Sequence, residues 1–521
     1  MLKRDSMIAA LEDQSTVWDF IIIGGGATGV GVAVDAAARG YRTLLLEAHD
    51  FGKGTSSRST KLVHGGVRYL QQGNISLVLD ALKERGLMRQ NAPHLVHDLA
   101  FIVPNYTWWE APFYGIGMRV YDFLAGKHGF GPSRNLSCEK TLERIPTIET
   151  KGLRGGVIYY DGQFDDTRLL INLAQTAEER GAVLLNYVEV TGLIKKDDVI
   201  GGVTAVDRET GREHRIQGRV VISAAGVFTD TIRRMDSPET PSIISPSQGI
   251  HITLDRSFLP GDTAVLVPHT DDGRVLFAIP WRNHTLVGTT DTPIQQVELE
   301  PRALPEEIEF LLTHTARYLT KDPTESDVLS VFTGIRPLVA VQGESKTASL
   351  SRDHTLHISG SGLVTITGGK WTTYRKMAED TVDQAAVVAE LEPVPCITRE
   401  LHIHGYTRED NPSSNLAVYG SDANRVAALC AQNAEWGALL HPELDVQAGE
   451  VVWAVREEAA RTVEDFLGRR SRALFLNAHA AVEMAPKVAS LMAAELGRDT
   501  SWVDAQVQAV TDLAQKYYMI R

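Results

Sequence analysis

The chain has 521 residues, 43% hydrophobic and 23% charged, the composition of a globular protein and not of a fibrous or disordered one. That length calls for two or three domains, because single cores stop growing at about 250–300 residues. A net charge of −14 excludes a chain-wide basic footprint for nucleic acid, so an anionic small molecule has to be caught by a local cationic pocket.

Three cysteines, Cys138, Cys396 and Cys430, form no CxxC pair. They suggest neither a metal site nor a disulfide framework and fit a reducing, cytoplasmic compartment. No run approaches the ~20 apolar residues of a membrane span, and residues 1–14 lack the apolar core of a signal peptide. Any contact with a membrane is therefore expected to be peripheral, on the inner face.

In chain order, residues 18–23 (WDFIII) read as a buried parallel strand, 24–29 as a turn, 30–39 as a closely packed helix stopped by Gly40, and 43–47 as a second strand. This is a β-α-β unit of about 30 residues. Gly24, Gly26 and Gly29 form GxGxxG at its turn. The three glycines serve respectively the tight turn, the approach of a pyrophosphate to the backbone, and helix–strand packing. Glu47 stands at the end of the second strand, where a carboxylate accepts hydrogen bonds from both ribose hydroxyls. The unit therefore predicts dinucleotide binding, but the fingerprint alone does not separate NAD from FAD.

Residues 54–68 (GTSSRSTKLVHGGVR) are rich in hydroxyls and glycines and suit a loop threading beside a pyrophosphate and a flavin ring. Thr55, Ser56, Ser57, Thr60, Lys61, Leu62 and His64 are its expected cofactor contacts. Val188, Gly226, Gly369, Lys370 and Thr372 are expected from later segments. Residues 74–90 read as a surface helix without functional content, and 157–190 as strand, helix, strand. Residues 219–225 form a buried strand ending at Gly226. Short alternating segments over 245–295 predict an antiparallel sheet. Residues 355–369 return to strand, 371–388 form a helix, and 410–521 read as a separate helical domain. The expected division is 1–100, 150–240 and 355–392 for the nucleotide, 101–149 and 241–354 for the substrate, and 398–521 for the helical domain.

The motifs IIIGGGATG, LLLEAHD, TSSRSTKLVHGGVRYL, FDDTRL, IPWRNHTLVGTTDTP, GIRPL, TGGKWTTYRKMAED and EEAARTVEDFLGRRSR occur in that order over nearly the full length. In them the chain resembles the FAD-dependent, respiratory glycerol-3-phosphate dehydrogenases. The resemblance implies an α/β + α fold: a glutathione-reductase-like, Rossmann-type FAD domain, an antiparallel-sheet substrate domain and a C-terminal helical domain. It also implies FAD as cofactor, sn-glycerol 3-phosphate as substrate, dihydroxyacetone phosphate as product and a quinone as acceptor.

Such a reaction needs a phosphate clamp, a proton acceptor and a positioned hydride donor. Arg68, Arg336 and Lys370 are the clamp candidates, with Tyr69 as a hydroxyl donor. His251 is the base candidate. Arg336 can instead stabilise the developing alkoxide while water or His251 takes the proton, and the sequence does not rank the two schemes. The motif around His251 departs from bacterial relatives at Gln248, where they carry a lysine. His64 is expected beside the flavin. Thr372 and Thr373 open a helix whose positive end would face the flavin.

Residues 106–121 are unusually aromatic. Trp108, Trp109, Phe113 and Tyr114 read either as a buried core or dimer contact or as a bilayer-interface element. A homodimer is the expected assembly. The alternatives to a quinone-linked dehydrogenase are an oxygen-using oxidase of the same substrate that yields hydrogen peroxide, and a flavin-binding module without turnover.

Overall fold

A computed structural model describes residues 2–13, 15–66, 74–271, 273–340, 353–409 and 415–520. The apolar run Val17–Ile23 is a strand that is buried from Phe20 to Ile23, and it pairs in parallel with Thr43–Leu46 on one side and Glu213–Ser223 on the other. Parallel neighbours need crossover helices, and Ala27–Ala38 supplies the first. The parallel set extends through Val364–Gly368 at one edge and Val183–Leu185 at the other. An antiparallel strand, His354–Ile358, and a ribbon of Val188–Lys196 and Val199–Asp207 complete an eight-stranded sheet. The helices Asp166–Glu179 and Tyr374–Val388 belong to the same apolar core as this sheet.

A second, ten-stranded sheet takes six of its strands from residues 244–339. Its long pair is Ile244–Asp255 against Val328–Val339, antiparallel, with His251 opposite Phe332, Gly249 opposite Gly334 and Ser247 opposite Arg336. Directly opposed residues in an antiparallel pair share a face, so these six positions form one surface.

The strand Gly155–Phe164, expected with the nucleotide region, belongs to this second sheet. All ten of its residues pair antiparallel with Val96–Asn105, and Leu62–Val63 joins its other edge. A ten-residue strand is held by the partner that matches its whole length, and the parallel sheet has no edge of that length free beside it.

Helix Ile75–Asn91 is also more than a surface element. It buries Glu84 and Arg85, which pair with Arg375 (2.7 Å) and Asp161 (2.5 Å). These two charges are core groups, whereas Asp80, Lys83 and Arg89 of the same helix are exposed, and periodicity alone does not tell the two sets apart.

Residues after 415 are mainly helical, with one small hairpin, Leu439–His441 with Leu444–Gln447. This region docks on the same face of the second sheet as His251. Thr253 and Ser330, the next opposed pair along the strands, donate their hydroxyls to the carbonyls of Phe475 and Leu474, each at 2.8 Å.

Helix Glu110–Ala125 stands apart. Trp108 (77% exposed), Phe113 (52%), Ile116 (63%) and Phe123 (84%) present an apolar face to solvent. Of Trp108, Trp109, Phe113 and Tyr114, the buried-core reading holds only for Tyr114, which is 7% exposed and bonds to His269. Among the described residues no helix is long and apolar enough to cross a membrane.

Candidate active site

A cavity of about 640 Å³ runs between the two sheets. Its nucleotide end is built from backbone. Gly24 has φ +110°, and a Cβ there would lie 2.7 Å from the Ala224 carbonyl oxygen. A Cβ on Gly29 would meet Gly24 O at 1.9 Å, so no side chain fits. Gly24 and Gly26 line the cavity, whereas Gly29 sits behind the wall and lets helix and turn close together.

The Glu47 carboxylate lines the cavity and accepts from the amides of Gly25 (2.6 Å) and His49 (2.8 Å). Burial raises its pKa, and these two amides oppose the rise. His49, which the motif reading missed, lines the same end. Burial, with Arg208 nearby, pushes its pKa down to about 4, so the ring is neutral. Only its place two residues past the acidic strand end pointed to it.

In the hydroxyl-rich loop, Thr55, Ser56, Thr60, Leu62 and His64 line the cavity. The Ser56 hydroxyl accepts from Ala27 N at the helix start, and its carbonyl accepts from Trp371 Nε1, both at 2.9 Å. Ser57 and Lys61 are not in the wall. The Ser57 hydroxyl donates to Gly54 O from a 3-10 turn, and Lys61, whose backbone is left-handed (φ +63°), turns into the protein toward Asp166. Val188 is likewise fully buried, its amide donating to Glu47 O, while Glu189 and Val190 reach the cavity. Gly226, Gly369, Lys370 and Thr372 line it as expected. Thr372 lies in the turn Trp371–Thr373, which leads into helix Tyr374–Val388.

The other end of the cavity is the shared face of the long strand pair. Gly249, His251, Gly334 and Arg336 all line it. The two glycines clear its floor. A Cβ on Gly249 would sit 2.6 Å from Arg336 Nη2, and one on Gly334 3.0 Å from Arg58 Cβ. The Arg336 guanidinium donates to Asp291 Oδ1 (3.1 Å), Thr290 O (2.9 Å), Thr289 Oγ1 (3.2 Å) and Gln248 O (3.4 Å). It is thereby aimed, and its side chain stays 23% exposed.

His251 is 3% exposed. Nε2 is 2.8 Å from Thr60 Oγ1, the ring stacks on Phe332 (4.9 Å, 13°), and Nδ1 is sealed. Burial, then Lys61 and Arg336, hold its pKa well below the ordinary histidine value. Gln248 is turned away: its amide donates to Glu307 at 2.7 Å. Arg68 and Tyr69 lie outside the described residues.

Behind the loop, the helical domain grips the nucleotide side. Arg470 forms two bonds to Asp50 (2.6 and 2.9 Å), Arg469 adds a third, and Lys53 pairs with Glu464 and Glu300. The sequence marked the run 457–472 as domain helix. That its arginines reach residues 50–58 is a tertiary fact without a local signal.

The FAD dependent oxidoreductase family model matches residues 19–375, and the model for the C-terminal domain of alpha-glycerophosphate oxidase matches 360–503. The mitochondrial glycerol-3-phosphate dehydrogenase of Mesocricetus auratus is 40% identical, over 99% of this chain and 75% of its own. The chain belongs to the FAD-dependent glycerol-3-phosphate dehydrogenase family. A second member of that family, from Arabidopsis thaliana, is 39% identical over 99% of this chain and 88% of its own. The crystal structure of the glycerol-3-phosphate dehydrogenase from Bacillus halodurans, complexed with FAD, matches with a TM-score of 0.80 at 30% identity, covering 99% of this chain and 98% of that one.

The cavity fits the family's cofactor. Glycines where a Cβ would strike backbone, a carboxylate at the second strand end and a hydroxyl-lined middle are what a dinucleotide requires. The enzyme is an FAD-dependent oxidoreductase of the glycerol-3-phosphate dehydrogenase type.

Proposed function

We propose that this enzyme oxidises sn-glycerol 3-phosphate to dihydroxyacetone phosphate and passes the electrons to a membrane quinone. The observation that carries the reading is that His251 and Arg336 share one face at one end of the cavity, with Lys370 in the lining of the same cavity, in a chain whose net charge is −14. An anionic substrate is repelled by the chain as a whole and attracted at that end.

The cofactor is held by the Gly24–Gly26 turn, Glu47 and the hydroxyls of Thr55, Ser56 and Thr60. When bound, FAD supplies the two-electron acceptor. Arg336, fixed by Asp291 and Thr289, and Lys370 hold the phosphate and the developing negative charge on the C2 oxygen, assisted by Arg68 and Tyr69. His251 takes the C2 hydroxyl proton at Nε2, the atom that faces Thr60. With Nδ1 sealed and the ring surrounded by cations, the resting base is neutral and its lone pair is available.

The exposed apolar face of helix Glu110–Ala125, with Trp108, Phe113, Ile116 and Phe123, supports peripheral contact with a bilayer, where a quinone resides. Anaerobic addition of glycerol 3-phosphate to the yellow holoenzyme tests the reading. Bleaching of the flavin, absent with glycerol, is the expected result, and a protein that stays yellow overturns the substrate assignment. Re-oxidation is expected to be fast with a quinone analogue and slow with air. The reverse order would make the enzyme an oxidase.

A further inference from the structure

Lys61 has no part in the scheme above, yet its surroundings are built with care. The ammonium is fully buried, 2.6 Å from Asp166 Oδ2 and 2.8 Å from the Ser57 carbonyl. The rings of Trp281, Phe332 and Phe475 enclose it, with centroids at 5.3, 5.2 and 5.6 Å. A lone buried ammonium is strongly unfavourable, so a carboxylate and three ring faces are what allow the charge to persist there.

Two contacts join this cation to the base. Thr60, its neighbour in the chain, holds His251 Nε2, and Phe332, one wall of its cage, stacks on the imidazole. A second link reaches the cavity: Ser59, which lines it, donates its hydroxyl to the same Asp166 Oδ2 at 2.8 Å.

We propose that Lys61 is a positioning residue for the base: its caged ammonium, acting across Phe332 and the Thr60 backbone, keeps the His251 ring unprotonated in the resting enzyme. The inference rests on the reading of His251 as proton acceptor, and it assigns to the Lys61–Asp166 pair the pH at which that acceptor begins to work.

The charged groups around the pair are few. Asp165 and Asp166 face Lys61 from the start of helix Asp166–Glu179, and Arg472 faces it from the helical domain. Among the described residues, Lys61 and Arg336 are the cations that act on His251. Burial lowers the Lys61 pKa to about 7, with Asp166 opposing that effect, so the charge is present through the acid range. A base acts only when unprotonated, and the rate falls as pH drops through its pKa. A depressed His251 pKa therefore keeps the acid limb at low pH, and removing the ammonium moves that limb upward.

The test uses holoenzyme labelled with ¹³C at histidine Cε1, with the His251 resonance assigned by its loss in His251→Asn. Lys61→Met combined with Asp166→Asn removes both charges of the pair and leaves Arg472, which also meets Asp166, with the Ser57 and Gly468 carbonyls and the charge of Asp165. Asp166→Asn alone is the second variant, in which the ammonium loses its counter-ion and gives up its proton. Both are expected to raise the His251 titration midpoint, and Lys61→Arg, which keeps the charge, is expected to restore it.

The flavin-reduction rate on the acid limb then falls about tenfold for each unit by which the midpoint rises. An unmoved His251 midpoint in either neutralised variant, with FAD bound, overturns the inference. A midpoint that rises while the rate limb stays in place upholds the coupling and instead removes His251 from the role of base.

Discussion

The two ends of the cavity are made by different means. The nucleotide end comes mainly from one stretch, residues 24–56, joined by residues 189–190 and 224–228, and most of its shape is backbone: a turn at Gly24–Gly26, a helix start, and a carboxylate held by two amides. The substrate end draws single side chains from residues 251, 336 and 370, held by partners at 60, 248 and 289–291. Local geometry is enough to recognise a pyrophosphate, whose shape recurs in every dinucleotide. A small phosphorylated alcohol has to be recognised by charge placed at a point, and only tertiary contacts can place it.

If that contrast is right, damage at the first end should empty the site, and damage at the second should leave it full and inactive. Gly29→Ala is the severest case. Its methyl would stand 1.9 Å from the Gly24 carbonyl, so the purified protein is expected to lack FAD and its visible absorbance. Arg336→Ala is expected to retain the full flavin spectrum while its anaerobic reduction by glycerol 3-phosphate slows by about 10²–10³-fold. Loss of FAD in that variant would show that the arginine serves the cofactor and would blur the two ends into one.

A smaller effect separates both ends from the outer surface. Replacing Trp108 and Phe123 together by Asp is expected to weaken binding to phospholipid vesicles and to lower quinone-coupled turnover roughly tenfold, with anaerobic flavin reduction unchanged. Equal loss in both assays would place that helix in the catalytic fold.

The smallest effect concerns the seam between the nucleotide side and the chain beyond residue 400. His404 bridges Glu179 (2.5 Å) and Asp422 (2.8 Å). Burial pulls its pKa down, but the bonds to Asp422 and Glu179 prevail and lift it to about 9. A group raised on folding contributes stability that is fully present below its unfolded pKa, near 6.5, and lost as pH rises through its folded pKa. His404→Gln is therefore expected to lower Tm by a few degrees at pH 6 and hardly at all above pH 9. Calorimetry across that range checks the slope, and a deficit that grows with pH would contradict it.

Several features were legible before any coordinates. The β-α-β unit, the helix stop at Gly40, the antiparallel segments over 245–295 and the helical tail follow from periodicity, glycine placement and β-branched runs, all of which are local. His251 and Arg336 were singled out separately by motif and chemistry. Their meeting on one face required the register that sets His251 opposite Phe332 and Ser247 opposite Arg336. Lys61 was read as a cofactor contact because its neighbours are. A left-handed backbone at Lys61 itself turns it to the other side, into a cage drawn from residues 166, 281, 332 and 475. Glu84 and Arg85 of helix Ile75–Asn91 read as solvated and are held in buried pairs, since a sequence shows a charge without showing its counter-ion.

The amino-acid sequence by itself determined the class of chemistry. A glycine turn followed by a helix start and an acidic strand end can do little else than hold a dinucleotide, because those constraints act within one short segment. The tertiary structure alone decided which charges are partnered and which face the cavity. A lysine and an arginine of equal formal charge became, respectively, a sealed ammonium behind the His251 ring and an aimed guanidinium before it. The physical reason is that the energy of a charge depends on its solvent exposure and on partners far away along the chain.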